Sequence, residues 1–257
     1  MTEKIKNIIN KKNKTKIVCL TAYSKNQTSL IDKYCDIILV GDSLANVLYG
    51  MNNTHKINLD IMIRHAISVK SGINRSLLVV DMPKGTYSNI ASAKKNAKLL
   101  ISKTKCDAIK IESNNKNSHI IKGLVKANIN VMGHIGYTPQ YKSKFEVQGK
   151  SLKSQSNLIE EAKKIEQAGA FSIVLECITS NTSKEITKKL KIPTIGIGSS
   201  VFCDGQILVT DDLLGLSGFY PKFVKKYANI SKIIKKAVNQ FRKEVKTKKF
   251  PMKKNYY

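Results

Sequence analysis

The chain has 257 residues, of which 42% are apolar, and its 45 lysine and arginine residues against 18 aspartate and glutamate residues give a formal net charge of 45 − 18 = +27. This length allows one large α/β barrel or two smaller domains with a buried core. No apolar run approaches the ~18 to 20 residues that cross a bilayer, and the first twenty residues mix lysine and asparagine with isoleucine, so we expect neither a spanning helix nor a signal peptide.

Apolar runs of the kind found in buried strands recur along the whole chain and predict eight strands. In chain order they are Ile17–Tyr23, Asp36–Ser43, Ser76–Pro83, Ala108–Ser113, Ile129–Gly136, Ser172–Ile178, Thr194–Ser199 and Gln206–Thr210. Segments with helical periodicity and capping residues lie between them. The clearest are Ile61–Ser71, Ser88–Lys103, Asn157–Ala168, Ser183–Leu190 and a lysine-rich helix, Ser231–Lys246.

Eight alternating strand and helix units in about 250 residues predict an α/β fold of the (βα)8 TIM-barrel type, with an open doubly wound sheet as the alternative. No proline- or glycine-rich linker interrupts the chain. We therefore predict one domain over residues 1–257, with a basic N-terminal segment, Lys4–Lys16, and a lysine-rich C-terminal helix. The longest loop, Tyr137–Gln155, follows the fifth strand and is expected to act as a lid or binding surface.

The positive charge comes almost entirely from lysine, because only Arg64, Arg75 and Arg242 are arginine. Recognition of bases and phosphates relies strongly on the guanidinium group, so we interpret the lysine excess as drift at freely substitutable surface positions. A phosphate-tracking surface is the alternative, and it would lose its function at high salt. We expect no nucleic-acid partner and no membrane association.

The five cysteines are odd in number, widely spaced and contain no Cys-x-x-Cys pair. This pattern indicates reduced thiols in a cytoplasmic protein and argues against both a disulfide framework and a zinc site.

Five successive predicted strands carry an ionisable residue at or near the carboxyl end: Asp42, Asp81, Glu112, His134 and Glu176. Taken singly, each has an ordinary explanation as a turn, a cap, a buried imidazole or a structural ion pair. In the second strand, for example, Asp42 shares a face with Ile38 and Val40. Together they point to function, because barrel enzymes build their active sites at the carboxyl ends of the strands.

Convergence of Asp42, Asp81 and Glu112 would place three carboxylates in one pocket, where they must take up protons or share a cation. An all-oxygen ligand set favours Mg²⁺ over zinc. A 2-oxo acid could complete the coordination with its carboxylate and ketone, and Lys110 could neutralise the charge that develops as the adjacent C–H is acidified. Glu176, which ends an apolar strand, is the best-placed base for that proton.

At these positions the sequence resembles the ketopantoate hydroxymethyltransferase family over nearly its whole length. The motifs that carry the resemblance are Leu20-Thr21-Ala22-Tyr23, Val40-Gly41-Asp42-Ser43-Leu44, Asp81-Met82-Pro83, Lys110-Ile111-Glu112, Gly133-His134-Ile135-Gly136-Tyr137-Thr138-Pro139-Gln140, Val147-Gln148-Gly149, Leu175-Glu176-Cys177, Gly196-Ile197-Gly198, Cys203-Asp204-Gly205-Gln206 and Pro221-Lys222-Phe223.

The resemblance implies a (βα)8 barrel assembled as a homodecamer that uses Mg²⁺ and 5,10-methylenetetrahydrofolate. The implied metal ligands are Asp42, Asp81 and Glu112. Asp42, Ser43, Asp81 and Lys110 are implied to bind the substrate, and Glu176 is implied to be the catalytic base. In the implied reaction, 3-methyl-2-oxobutanoate loses its C3 proton as a magnesium enolate and takes a hydroxymethyl group from the folate, giving 2-dehydropantoate for pantothenate biosynthesis.

The sequence departs from the family pattern at three places. Ser24 replaces the usual aspartate, Lys84 replaces the usual phenylalanine, and the segment 141–146 is short and lacks its usual glycines. We expect these changes to affect substrate closure and folate affinity.

Two other functions remain open from the residues alone. A Mg²⁺ barrel enzyme of the isocitrate lyase or phosphoenolpyruvate mutase type is the nearer one, although its usual catalytic cysteine loop is not visible; in it, Gly196-Ile197-Gly198 would be a phosphate loop rather than a tight turn. The other is a basic nucleic-acid-binding or structural protein that retained the barrel without activity.

Overall fold

A computed structural model describes residues 2–142, 144–218 and 220–257, and it divides the chain into two compact units, Met1–Val209 and Thr210–Tyr257. Ser143, in the segment that departs from the family pattern, lies outside the described residues. The single domain over 1–257 stays a prediction. Within the described residues, no helix is both long and apolar enough to span a bilayer.

The first unit contains eight parallel strands that close into a barrel in sequence order, which confirms the predicted TIM-type fold. The strands are β1 Ile17–Thr21, β2 Ile37–Val40, β3 Leu77–Asp81, β4 Ala108–Glu112, β5 Val131–Gly136, β6 Ser172–Glu176, β7 Thr194–Ile197 and β8 Gly205–Leu208. Each lies on a predicted strand, and most end one to three residues earlier than predicted because the chain turns into loops at the barrel mouth before the apolar run is finished.

The helices of this unit are α1 Glu3–Asn10, α2 Lys25–Ile31, α3 Leu44–Val47, α4 Leu59–Lys70, α5 Ile90–Thr104, α6 Ser118–Val125, α7 Leu152–Gln167 and α8 Ser180–Lys189. Unit 2 contains α9 Thr210–Leu213 and α10 Ile230–Lys246. The five predicted helices are α4, α5, α7, α8 and α10. Those not predicted from sequence have eight residues or fewer, too few turns to show a clear helical period.

The core has two layers, and the alternation of the strands decides which residues enter each layer. Leu77 and Val79 of β3 lie in the cluster inside the barrel, so Asp81 continues that inward face. In β2 the inward residues are Ile37 and Leu39, whereas the face that Asp42 was expected to share lies in the outer layer under the helices. Asp42 therefore reaches the mouth because the chain has already left the strand at Val40.

The helix α1 closes the amino-terminal end of the barrel, within the segment predicted only as basic. Ile5 and Ile8 are one turn apart and join the interior cluster. Beyond the helix, Lys12 Nζ donates to Asp204 Oδ2 at 2.8 Å, next to β8. This end of the barrel is therefore sealed by packing and an ion pair, which leaves the carboxyl end for a site.

The carboxylate of Asp32, which precedes β2 in a short 3-10 helix, accepts backbone N–H groups of Asn74, Arg75 and Ser76 at 2.9–3.0 Å. Burial alone would raise the pKa of Asp32, but these hydrogen bonds outweigh it and lower the pKa below its usual value. A lowered pKa stabilises the fold above the unfolded-state pKa, and this contribution is lost as the pH falls through the folded-state pKa.

We expect Asp32→Asn to lower the free energy of unfolding by about 2 kcal/mol at pH 7, because an amide nitrogen would face a backbone donor. The difference from the wild type should be constant near pH 7 and shrink as the pH falls below the unfolded-state pKa of about 4 toward the lower folded-state pKa, because the unfolded wild type takes up a proton at Asp32 first. Urea unfolding at a series of pH values measures it, and a difference that is constant with pH would contradict this account.

Candidate active site

An ion pair between neighbouring strands lies at the centre of the barrel mouth. Asp81 ends β3 and pairs in register with Lys110 of β4, so both side chains point inward at the same level. Lys110 Nζ donates to Asp81 Oδ1 at 2.5 Å, and both residues are almost fully buried. Burial alone would lower the pKa of Lys110, but Asp81, Asp42 and Glu112 outweigh it and raise the pKa. Lys110 is therefore held as an ammonium ion.

Asp42 joins this pair from the end of β2. Its backbone N–H donates to Asp81 Oδ2 at 3.1 Å. A Cβ at Gly41 would lie 2.8 Å from Ser43 Oγ, a contact that rotation of the serine side chain would relieve, and 3.5 Å from Asp81 Oδ2, an ordinary van der Waals distance. Two aspartates from adjacent strand ends thus lie side by side.

Gln140, in the loop after β5, connects Asp42 to Glu112 at the end of β4. Its Nε2 donates to Asp42 Oδ2 at 2.9 Å, and its backbone N–H donates to Glu112 Oε2 at 2.9 Å. The sequence predicts no role for Gln140, which stands there only as the last residue of the motif that begins at Gly133.

The site contains more buried negative charge than its single lysine can balance. Burial and then Asp81 raise the pKa of Asp42 to about 7. Burial and then Asp42 raise the pKa of Glu112 well above its usual range. Carboxylates that share a pocket in this way bind either protons or a cation, so the cluster is suited to a positively charged ligand.

Glu176 ends β6 on the other side of the mouth, with 19% of its side chain exposed. Its Oε2 lies 3.1 Å from His134 Nε2, and His134 Nδ1 lies 3.7 Å from Glu112 Oε1. Neither imidazole nitrogen forms a hydrogen bond with suitable geometry among the described residues, although the ring is almost fully buried. Burial and then Lys110 lower the pKa of His134, which favours a neutral imidazole between the two carboxylates.

The backbone around Glu176 is held by a close approach between the ends of β5 and β6. Gly136 has φ +99°, and a Cβ there would lie only 2.1 Å from the Glu176 carbonyl oxygen. The N–H of Tyr137 donates to that carbonyl at 2.8 Å. Cys177, the next residue, has φ +52°, which is uncommon outside glycine and asparagine.

Ser43 lies beside Asp42, where its Oγ is 2.9 Å from the Tyr23 hydroxyl. His65 Nδ1 lies 2.7 Å from the Tyr23 carbonyl oxygen, which can only accept, so Nδ1 carries the proton. Tyr49 OH lies 3.1 Å from His65 Nε2 and donates to it when the ring is neutral.

The structure brings all the predicted site residues to one mouth of the barrel: Asp42, Ser43, Asp81, Lys110, Glu112 and Glu176.

The predicted metal ligands do not form a finished metal cage. In the part of the chain that the structure describes, no three His, Cys, Asp or Glu side chains are placed to hold an ion together. Lys110 pairs with Asp81, and Gln140 bridges Asp42 to Glu112. The residues nevertheless fit Mg²⁺, which usually takes only one or two carboxylates and fills its other positions with water and substrate oxygens.

Comparison with known proteins gives the family. Residues 2–253 match the sequence profile described as "Ketopantoate hydroxymethyltransferase". The chain is 55% identical over 257 residues to 3-methyl-2-oxobutanoate hydroxymethyltransferase of Pelagibacter ubique, with full coverage of both chains. The chain belongs to the ketopantoate hydroxymethyltransferase family. The corresponding protein of Anaplasma marginale is 46% identical over 94% of this chain and 88% of its own.

Membership in the ketopantoate hydroxymethyltransferase family confirms the predicted resemblance and the prediction of a transferase. Among solved structures, a 2,3-dimethylmalate lyase of the PEP mutase/isocitrate lyase superfamily has a TM-score of 0.63 and 14% identity, covering 100% of this chain and 93% of that chain. At this identity the likeness shows only that the barrel is shared.

Two of the departures from the family pattern lie in the described residues and have local partners. Ser24 caps α2 by accepting the N–H of Gln27. Lys84 is exposed, with Nζ 3.4 Å from the ring nitrogens of His55. The expected effects on substrate closure and folate affinity stay predictions.

Proposed function

We propose that this protein transfers a hydroxymethyl group from 5,10-methylenetetrahydrofolate to 3-methyl-2-oxobutanoate and releases 2-dehydropantoate and tetrahydrofolate. The observation that carries the proposal is the 55% identity over the full length to a protein of that name. The buried carboxylate cluster at the carboxyl ends of β2, β3 and β4 supports it independently, because such a site suits an oxygen-liganded cation and an acidic substrate.

Asp42, Asp81 and Glu112 are the residues proposed to hold Mg²⁺. All three are at most 5% exposed, and together they carry two more negative charges than Lys110 balances when all are ionised. When bound, the ion would act as a Lewis acid that polarises the ketone of the oxo acid. The hydrogen bond from the Asp42 N–H to Asp81 and the Gln140 bridge between Asp42 and Glu112 support a shared role for the three carboxylates.

Lys110 and Ser43 are the proposed substrate contacts, together with Asp42 and Asp81. The ammonium of Lys110 can attract the substrate carboxylate and the negative charge that develops on the ketone oxygen. The Ser43 hydroxyl, fixed by Tyr23, can orient one carboxylate oxygen. These contacts would present C3 of the oxo acid to the mouth of the barrel.

Glu176 is the proposed base. Its side chain is more exposed than those of Asp42, Asp81 and Glu112, so a substrate can reach it. It lies across the mouth from these three carboxylates. Its carboxylate removes the proton from C3, and C3 then bonds to the methylene carbon of the folate as one of the two methylene C–N bonds breaks, with the released nitrogen taking the proton from Glu176. Water then adds its hydroxyl group to the methylene carbon as the second C–N bond breaks, and the other proton of the water goes to that nitrogen, which releases tetrahydrofolate.

A single incubation tests the proposal. The purified chain is mixed with 3-methyl-2-oxobutanoate, Mg²⁺ and 5,10-methylenetetrahydrofolate, and the product is read by mass spectrometry. We expect 2-dehydropantoate only in the complete mixture. Turnover of the oxo acid that does not require the folate would instead favour a lyase or mutase activity on this fold.

The homo-oligomer stays a proposal that α10 supports. The helix carries an apolar stripe with helical spacing, including Ile234, Val238 and Phe241, and none of its residues is buried. A second copy of the chain could cover this stripe, since exposed apolar patches of this kind mark interaction sites.

We expect Val238→Glu to lower the molar mass of the assembly measured by light scattering, because a charge would replace an apolar contact. Asn239→Glu introduces the same side chain at the adjacent position and should leave the mass unchanged. An unchanged mass in Val238→Glu would contradict the proposed interface.

A further inference from the structure

Gln140 is a buried amide that contacts the ends of three neighbouring strands. It is 1% exposed. Its Nε2 donates to Asp42 Oδ2 at 2.9 Å and to the Met82 carbonyl oxygen at 3.0 Å, so both of its side-chain hydrogens are used. Its backbone N–H donates to Glu112 Oε2 at 2.9 Å. One residue of the loop after β5 thus connects the segments that follow β2 and β3 and the last residue of β4.

The orientation of this amide is determined by its neighbours. A backbone carbonyl can only accept a hydrogen bond, so the atom that faces Met82 must be the nitrogen. The Tyr87 hydroxyl donates to Oε1 at 2.5 Å on the opposite side. Asp42 therefore always meets an N–H donor rather than a lone pair, which would repel it.

A neutral donor at this place has a specific electrostatic consequence. Asp42 and Glu112 repel each other, and an amide can hold both by hydrogen bonds without adding a positive charge. A lysine or arginine there would instead satisfy the charge of the cluster. With Gln140 the carboxylates are oriented while the pocket keeps its excess of negative charge, which is the condition a divalent cation needs.

We propose that Gln140 is a positioning residue that fixes the Asp42 and Glu112 carboxylates relative to each other and thereby sets the affinity of the site for a divalent cation. The inference rests on the proposed function, in which these carboxylates hold Mg²⁺. Partners that orient metal ligands from outside the coordination sphere typically change metal affinity by about 10- to 100-fold when they are removed.

The test measures Mg²⁺ binding by calorimetry in the full chain stripped of metal, without oxo acid or folate. Gln140→Met keeps the volume and the backbone N–H to Glu112 but removes the donor to Asp42. We expect Mg²⁺ to bind about 10-fold more weakly or worse. Asn130→Leu is the matched control, because it removes another amide-to-backbone hydrogen bond, to the Asp107 carbonyl, at the opposite end of the strands. It should bind Mg²⁺ as the wild type does.

A second variant covers the case in which Gln140→Met does not fold. Gln140→Asn keeps a polar amide but is one methylene shorter, so it should fold and still lose its reach to Asp42. Excess Mg²⁺ should restore its turnover to within a few-fold of the wild type, whereas a merely misfolded site would not recover.

The outcomes separate this inference from the proposed function. A folded Gln140→Met or Gln140→Asn chain with wild-type Mg²⁺ affinity would overturn the inference while leaving the transferase activity untouched. A wild-type chain that binds no Mg²⁺ would overturn it as well. Failure of the wild type to form 2-dehydropantoate would reject the proposed function, and the Mg²⁺ comparison could still be read.

Discussion

Glu176→Gln should bind 3-methyl-2-oxobutanoate about as well as the wild type and lose turnover by about 10²- to 10⁴-fold, the usual contribution of a general base. The glutamine amide has the same size as the carboxylate, so it can keep the contact with His134 Nε2, which lies 3.1 Å from Glu176 Oε2. It cannot accept the C3 proton. The loss should therefore appear in kcat, with little change in the dissociation constant of the oxo acid.

Exchange of the C3 hydrogen in deuterated water isolates this step from the transfer to the folate. With Mg²⁺ and oxo acid alone, the wild type should incorporate deuterium at C3 and Glu176→Gln should not. Glu166→Gln is a matched control, since Glu166 Oε1 accepts the backbone N–H groups of Lys191 and Ile192 outside the mouth. It should exchange at the wild-type rate. Wild-type exchange in Glu176→Gln would assign the base to another residue.

Asp81→Asn should remove most of the activity and also weaken the fold. Asp81 is the direct partner of Lys110 and accepts the backbone N–H of Asp42, so its neutral analogue disturbs both neighbours. Turnover should fall by at least about 10³-fold, because interactions with the developing charge contribute several kcal/mol. The free energy of unfolding should fall by about 3 kcal/mol, the lower end for a broken buried pair, since Asp42 and Glu112 still face the ammonium.

The carboxylate of Asp107 provides the control at the opposite end of the same strands. It precedes β4 and accepts the N–H of Leu78 at 2.9 Å. Asp107→Asn should lower stability measured by urea unfolding but keep turnover, whereas Asp81→Asn should lower both. Full turnover of Asp81→Asn in metal-free buffer would contradict the role of Asp81.

The predicted positions of the strands were accurate because a parallel strand buried on both faces needs a continuous apolar run, which is a local property of the sequence. The same alternation placed Asp81, Lys110 and Glu112 on inward faces. It did not do so for Asp42, whose strand face lies under the helices. Asp42 enters the mouth because the chain leaves β2 at Val40 and turns at Gly41.

The helix α1 shows the opposite case. Its buried residues, Ile5 and Ile8, lie among lysines and asparagines, and eight residues are too few for a reliable periodic signal. The helix is stabilised by packing against the barrel interior, and the short-range sequence pattern does not contain that contact.

The amino-acid sequence by itself determined the barrel, the strand ends that carry ionisable groups and the family, because these depend on residue type and spacing along the chain. The tertiary structure alone decided which groups pair with one another. Lys110 pairs with Asp81, Gln140 bridges Asp42 to Glu112, and His134 lies between Glu112 and Glu176. Such pairings join residues far apart in sequence, and they follow from strand register and loop closure, which short-range patterns do not contain.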